Sequence, residues 1–174
     1  MTAYPTPDPR NYAIFKGIVH FTPEGGARTD LGNVSGFSLT PEVEKLDHFS
    51  SRSGVKTKDK TVVVQKTNTI VMVLEEMTAL TFRIALLGTQ GTDTDGNIVI
   101  EVDDTDLVRG LLEFEGTNEV GPKWNFNFPS VALSPSGAVD LISEEWAAIE
   151  VTGDIEATNG VFYTATLQDS AVTV

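Results

Sequence analysis

Alternation of apolar and polar residues runs through most of the chain and predicts β-strands along it. β-branched and aromatic residues are concentrated in short runs, several of which alternate with polar residues, and Gly, Pro, Asn and Asp separate the runs. The predicted strands cover residues 14–21, 34–39, 43–49, 60–75, 98–102, 107–115, 123–133, 146–156 and 161–167. Gly36 predicts a bulge in the second strand, and Thr158-Asn159-Gly160 predicts a hairpin turn.

The segment 60–75 is unusually long for one strand. It contains sixteen residues of strong β character without Gly or Pro. As a single strand it would extend about 50 Å at roughly 3.3 Å per residue, far beyond the usual five or six residues. Its polar centre, residues 65–68, is compatible with either a turn or a bulge. We favour one long strand with a bulge.

A single short helix interrupts this pattern at residues 78–87. Thr78 is a suitable N-cap, and Leu80, Ile84 and Leu87 share one face at spacings of four and three. Gly88 is expected to end the helix. The helix is therefore predicted to pack against one face of a sheet through its three apolar residues.

The chain is predicted to form one domain over residues 1–174, because its length is within the usual range and no internal repeat occurs. The predicted fold is mainly β: an antiparallel β-sandwich or partly closed barrel with one short flanking helix. Pro5, Pro7 and Pro9 predict an extended N-terminal arm over residues 1–12.

Charge is distributed unevenly. The formal net charge is −13, yet the segment SSRSGVKTKDK, residues 50–60, carries four basic residues and one acid. With Lys66, five of the twelve basic residues lie between positions 50 and 66, and the remainder of the chain stands at −17. Such asymmetry suggests two surfaces with different partners. The acidic remainder argues against general binding of nucleic acid.

Residues that carry enzyme chemistry are scarce. There is no Cys, His20 and His48 form no metal motif, and no phosphate-binding glycine motif is present. TDTDGN resembles a calcium loop, but Gly91 and Val102 would occupy its two end positions, where acidic ligands are needed. We predict a turn there, no cofactor and no enzyme activity. The WNFNF stretch, residues 124–128, is read as a core strand in preference to a stacking platform for nucleic acid.

No membrane association is expected. The N-terminus lacks a basic region followed by an apolar run, so Sec export is not predicted, and no window approaches the ~20 apolar residues of a spanning helix.

The order of these features resembles the major tail tube protein of long-tailed, non-contractile bacteriophages. The stretch LDHFSSRSGVKTKDKTVVVQKTNTIVMVLEEMTALTFRIALLG, residues 46–88, is similar to that family's strand, polar loop, long strand and short helix. GIVHFTP followed by LGNVSGFSL resembles its opening hairpin. Together these stretches cover about half of the chain.

The resemblance implies a structural protein of the virion tail, assembled in the cytoplasm of the host bacterium. Six protomers would form a ring whose sheets join around a channel, and rings would stack into a tube through which DNA passes at ejection. Tape-measure and terminator proteins would be further partners. An acidic channel wall suits this role, since a basic wall would retain the polyanion.

The resemblance also gives the basic loop a partner. We hypothesise that it contacts acidic residues of a neighbouring subunit or ring. The proposed loop residues are Arg52, Lys56, Lys58 and Lys60, and the proposed acidic counterparts are Asp93, Asp95, Asp103, Asp104 and Asp106.

Other readings of the sequence remain open. The related tube subunits of secretion systems and the tail terminator share the expected features. A β-sandwich binding module would explain exposed aromatic residues, and an enzyme with paired carboxylates would show a cleft with a raised carboxyl pKa. A solvated loop with incidental charge is the alternative to an intersubunit contact.

Overall fold

The computed structural model describes residues 7–52, 54–104 and 106–168. A 3-10 helix at Pro9–Asn11 precedes the strands and the α-helix. In chain order the elements are β1 (Gly17–Pro23), β2 (Thr29–Asp30), β3 (Val34–Ser50), β4 (Thr57–Leu74), α1 (Ala79–Leu86), β5 (Thr89–Thr92), β6 (Ile98–Glu101), β7 (Val108–Gly116), β8 (Trp124–Pro135), β9 (Ile149–Ile155) and β10 (Thr164–Leu167).

One large antiparallel sheet dominates the fold. Its strand order is β2-β1-β7-β8-β9-β4-β3, and β10 pairs with the first half of β8. β5 and β6 form a separate hairpin. The mainly β, antiparallel prediction with one short helix is confirmed, but the large sheet is not closed into a barrel. Its outer strands, β2 and β3, are therefore edges.

The sheet folds over on itself, so that strands distant in the sheet order face each other across the core. Phe37 of β3 stacks on Phe114 of β7 with ring centroids 5.3 Å apart, although three strands separate β3 from β7. Phe128 of β8 is fully buried in the same cluster. The WNFNF stretch is thus part of a core strand, as predicted. The sandwich-like packing arises without a second large sheet.

The helix packs on β8 and β9 through residues that are mostly those predicted. Ile84 is fully buried and Leu80 packs against the core at its margin. Leu87 lies at the helix C-terminus, half-buried and outside the core cluster. The predicted N-cap is confirmed: the Thr78 hydroxyl accepts a hydrogen bond from the backbone N–H of Thr81 at 3.2 Å.

The predicted role of Gly88 as the residue that ends the helix is wrong. Leu87 takes the left-handed conformation, with φ of 52°, and it forms the C-cap. Gly88 is needed for space instead. A Cβ there would lie 2.6 Å from Ile100 Cγ2, so only glycine lets the helix end approach β6.

The long strand is confirmed and is longer than predicted. β4 continues without a turn through residues 65–68, and the predicted bulge lies next to that segment, where Val64 has no partner between Gln65 and Val63. The two strands predicted at 34–39 and 43–49 are one strand, β3, because Thr40 and Pro41 keep their register with β4. The irregularity expected at Gly36 is present.

Two predictions in the second half of the chain need correction. β9 begins at Ile149, so Trp146 lies in the preceding loop and not in a strand. The turn at Asn159 and Gly160 forms as predicted, but only the Thr158–Val161 bridge closes it. β9 and β10 do not pair with each other, because β10 pairs with β8. In the N-terminal arm, the first six residues lie outside the described residues, and Pro9–Asn11 forms the 3-10 helix.

Candidate assembly interface

A two-stranded ribbon projects from the large sheet. We define the ribbon as residues 41–68, which comprise the second half of β3, the connection 51–56 and the first part of β4. β9 pairs with β4 only as far as Thr69, so beyond that point β3 and β4 pair with each other alone. The ten β3 residues of the ribbon, 41–50, give the ribbon a length of about 33 Å at roughly 3.3 Å per residue. Both long edges of the ribbon carry unpaired backbone groups within the described structure.

Both faces of the ribbon expose apolar side chains. The cross-strand pair Leu46 and Val62 lies on one face, and Val43, Val63 and Phe49 lie on the other. Large apolar residues exposed in the ribbon are Val43, Leu46, Phe49, Val55, Val62, Val63 and Val64. Two-stranded ribbons are marginally stable alone, and contiguous exposed apolar residues mark interaction sites. The ribbon therefore has the composition of an interface.

Bulges and ion pairs shape the ribbon. Register shifts occur between Glu44 and Lys45 and between His48 and Phe49, and such bulges increase the twist and bend the strands. The Lys58 ammonium pairs with the Asp47 carboxylate at 2.8 Å. These irregularities give the ribbon a defined shape.

The Asp47 carboxylate also shows the electrostatics of the ribbon. Hydrogen bonds from Lys58 and from the Thr61 hydroxyl, at 2.7 Å, hold the pKa of Asp47 below its ordinary value. On the opposite face, the His48 ring and the Asp59 carboxylate lie 2.6 Å apart. Each of these pairs joins β3 to β4, so the charges hold the two strands together.

The structure separates the four predicted basic contact residues into two groups. Arg52 and Lys56 lie in the connection between the strands, whereas Lys58 and Lys60 lie within β4. The basic segment predicted as a loop over residues 50–60 is therefore a shorter connection, residues 51–56, followed by strand. Lys58 is paired with Asp47 inside the ribbon. Arg52, Lys56 and Lys60 form no ion pair with any residue that the structure describes.

The predicted acidic counterparts are on and after the β5–β6 hairpin, and several have partners there. Asp93 accepts hydrogen bonds from Asn97, which lower its pKa and shape the turn. Asp106 pairs with Arg109 at 2.6 Å, and the Thr89 hydroxyl donates to Asp103 at 3.4 Å. Asp95 and Asp104 remain exposed. The turn predicted at Asp95-Gly96 is confirmed, with φ of 85° at Gly96.

The sequence reading missed an exposed segment between β8 and β9. We define the acidic loop as residues 140–148; every residue in it is exposed. Leu141, Ile142 and Trp146 have 83%, 99% and 97% of their surface accessible. The mixture of apolar and acidic residues in DLISEEW, residues 140–146, is the sequence signal for this exposed loop. The alternation that begins at Trp146 favoured a strand instead.

Net charge separates the ribbon from the remainder of the chain. Residues 41–68 contain six basic and four acidic residues, a net charge of +2. The remaining six basic and 21 acidic residues give −15. A surface of one sign thus projects from a body of the other, which favours contact between copies of the chain.

A metal centre is not formed by the residues that the structure describes, 7–52, 54–104 and 106–168. No cluster of three or more His, Asp or Glu side chains there could hold a metal ion. An apolar groove of about 480 Å³ lies beside the core, lined by residues that include Phe15, Phe37, Phe114 and Phe126. It contains no constellation of titratable groups. In the described part of the chain, no helix has the length and apolarity to cross a membrane.

Comparisons with known proteins give a matching family model and likenesses to solved structures. The model of the family described as "Protein of unknown function UCP028589" matches residues 12–112, more than half of the chain. The comparison with curated proteins gives no match. A chain in the structure described as "Cryo-EM structure of the anti-feeding prophage (AFP) baseplate, 6-fold symmetrised" is similar over 95% of both chains, at 14% identity and a TM-score of 0.41.

Proposed function

The chain belongs to the UCP028589 family, and we propose that it is a structural subunit of a phage-type tail that assembles with copies of itself through the ribbon. The ribbon is the observation that carries this proposal. Its apolar residues are exposed on both faces, and its edges are unpaired along those of residues 41–68 that the structure describes. An isolated subunit gains little from such a ribbon, whereas an assembly buries it.

The assembly we propose is a ring of six subunits, and rings stacked into a tube. Ring closure requires a contact between two different surfaces of neighbouring subunits. The open edges β3 and β2 of the large sheet supply two such surfaces. The resemblance of residues 46–88 to tail tube proteins supports the same arrangement. Tape-measure and terminator proteins are the further partners, and the site of action is the virion tail, assembled in the host cytoplasm.

The charge of the body supports passage of DNA through the tube. Outside the ribbon the net charge is −15. A channel lined by such a surface would not bind phosphates, because binding depends on Lys and Arg that displace counterions. The proposed role of the charge is therefore to let DNA slide. The protein's part in ejection is mechanical, with no chemical step.

Sedimentation velocity and negative-stain microscopy of the purified protein test the proposal. We expect concentration-dependent species larger than a monomer, seen as rings or tubes. A chain that sediments as a monomer from micromolar to near-millimolar concentration would overturn the proposal. The protein must also be tested at low and at physiological salt, because contacts between surface charges weaken as salt rises.

A second candidate function rests on Trp146. Its side chain is 97% exposed, with Leu141 and Ile142 nearby in sequence, which also suits a β-sandwich module that binds a carbohydrate or a surface receptor. That function predicts a monomer whose Trp146 fluorescence changes with ligand. A secretion-system tube subunit or a tail terminator would assemble like the main candidate, and the length of the assemblies distinguishes a terminator from a tube.

A further inference from the structure

The acidic loop is built to present side chains outward. Val139 and Ile149 flank it and both pack on the core, and the backbone N–H of Ser136 donates to the Glu150 carbonyl at 2.9 Å. Between these anchors all nine residues are exposed. The base of the loop is therefore fixed while its apolar and acidic side chains face solvent.

The loop carries charges without partners. The carboxylates of Asp140, Glu144 and Glu145 form no ion pair with any residue in the described part of the chain. Leu141, Ile142 and Trp146 lie between and beside them. Apolar anchors next to unpaired acids fit a partner that offers apolar side chains next to unpaired bases.

The end of the ribbon has that complementary composition. We define the ribbon tip as residues 49–52 and 54–60. It exposes 76% of Val55 and 50% of Phe49. Arg52, Lys56 and Lys60 form no ion pair within the described structure. Three unpaired cations and two apolar side chains thus match three unpaired acids and three apolar side chains.

The ribbon tip and the acidic loop lie at opposite ends of the same strand. Thr57 begins β4 at the tip, and Leu74 ends it beside Ile149, the residue that follows the loop. Seventeen residue steps separate Thr57 from Leu74, about 55 Å along a strand at roughly 3.3 Å per residue. Trp146 is only three residues from Ile149. The tip of one chain therefore does not meet the loop of the same chain.

We infer that the acidic loop, residues 140–148, receives the ribbon tip of a second copy of this chain. The inference rests on the proposed self-assembly and names its acceptor. Because the two surfaces lie at opposite ends of β4, each bound pair of subunits leaves one tip and one loop unoccupied. Such a head-to-tail contact repeats without limit. It joins subunits along the direction of β4, as stacking requires.

This acceptor replaces the region around Asp93 to Asp106 as the principal contact. Asp93 shapes its own turn, and Asp106 pairs with Arg109. These carboxylates are already engaged within the subunit. The acids of the acidic loop are unpaired and stand beside large apolar residues, so burying them against the tip gains both ion pairs and apolar area.

Cysteine crosslinking distinguishes the two acceptors, since the natural chain contains no cysteine. Ser51→Cys places a thiol in the ribbon tip, Ala147→Cys places one in the acidic loop, and Thr94→Cys places one in the β5–β6 turn. All three positions are exposed. The Ser51→Cys chain, tagged to differ in mass, is mixed with each of the other two and treated with a short bis-maleimide.

The expected product is the mixed dimer of the Ser51→Cys and Ala147→Cys chains. Its yield should exceed that of the Thr94→Cys pair at least about tenfold, because bound surfaces react at roughly millimolar effective concentration. The inference is overturned, and self-assembly stands, if the cysteine-free protein assembles but the Ser51→Cys chain crosslinks equally to the Ala147→Cys and Thr94→Cys chains. The same holds if the Ser51→Cys chain crosslinks to neither of them. If the cysteine-free protein does not assemble, the proposed function fails, and the inference with it.

Charge exchange tests the same contact without a crosslinker. Lys56→Glu with Lys60→Glu should weaken association about tenfold, as expected for two reversed surface pairs. Mixing that chain with a Glu144→Lys, Glu145→Lys chain should restore the affinity between the two. Restoration is the decisive readout, since a general loss of solubility or folding in either variant would not be reversed by mixing. Lack of restoration between two folded, monomeric chains contradicts the inference.

Discussion

Removing the ribbon separates its role in assembly from any role in folding. The change is to replace residues 43–66 with Asn-Gly. Glu42 and Thr67 are paired in register, so a two-residue turn of this type can close the shortened hairpin. The variant keeps Thr69 to Leu74, the part of β4 that pairs with β9.

The structure predicts little loss of stability. No described residue between 43 and 66 is buried, and none belongs to the core cluster. Shortening a connection from 24 residues to two lowers the entropy cost of closing it by about 2 kcal/mol. We therefore expect a free energy of unfolding equal to that of the wild type or up to about 2 kcal/mol higher. Assembly should be lost completely.

Urea unfolding followed by circular dichroism gives the free energy of unfolding, and sedimentation velocity shows whether the shortened chain assembles. Both chains are unfolded at concentrations where each is monomeric, because assembly would stabilise the folded wild type by mass action. A loss of stability above about 2 kcal/mol would mean that ribbon side chains pack on the body, as expected for buried residues. Rings or tubes formed by the shortened chain would refute the assembly role.

Three further predictions concern single residues. The pKa of Asp47 is lowered chiefly by the hydrogen bond from Lys58. The stabilisation of the ribbon by this pair is therefore present above the ordinary carboxyl pKa and is lost as pH falls through the lowered pKa of Asp47. In Lys58→Ala, NMR titration should show a higher pKa of Asp47 than in the wild type. Gly110→Ala should cost about 1–3 kcal/mol in urea unfolding, because its Cβ would overlap a β1 carbonyl oxygen, whereas Gly91→Ala, with open space around it, should not. Thr78→Ala should lower helix stability by about 1 kcal/mol, measured by thermal unfolding; an unchanged midpoint would contradict its capping role.

Local patterns predicted the elements well where one face of a strand is buried. Alternation located β7 and β8, since burial on one side imposes a period of two. β4 was located instead by its β-branched residues and its lack of Gly and Pro. The N-cap at Thr78 was readable because a hydroxyl before an apolar helical pattern satisfies a free backbone N–H. These features depend on neighbours in sequence.

Partners distant in sequence could not be predicted. β9 pairs with β4 only up to Thr69, which leaves the ribbon without a third strand. This end point depends on the register between Thr69 and Asp154, which are more than 80 positions apart. The pairing of Lys58 with Asp47 depends on where β4 begins. The alternating pattern predicted that Trp146 begins a strand. β9 begins only at Ile149, however, so Trp146 is exposed to solvent.

The continuity of β4 from Thr57 to Leu74 also has a mechanical consequence. The same covalent strand begins in the ribbon tip and ends in the body, where it is paired with β3 on one side and β9 on the other. Hydrogen bonds in antiparallel pairs lie perpendicular to the strands, so tension along β4 loads them in shear, many at once. A pull on the tip is therefore carried by the core of the subunit, and no flexible joint lies between the point of attachment and the body.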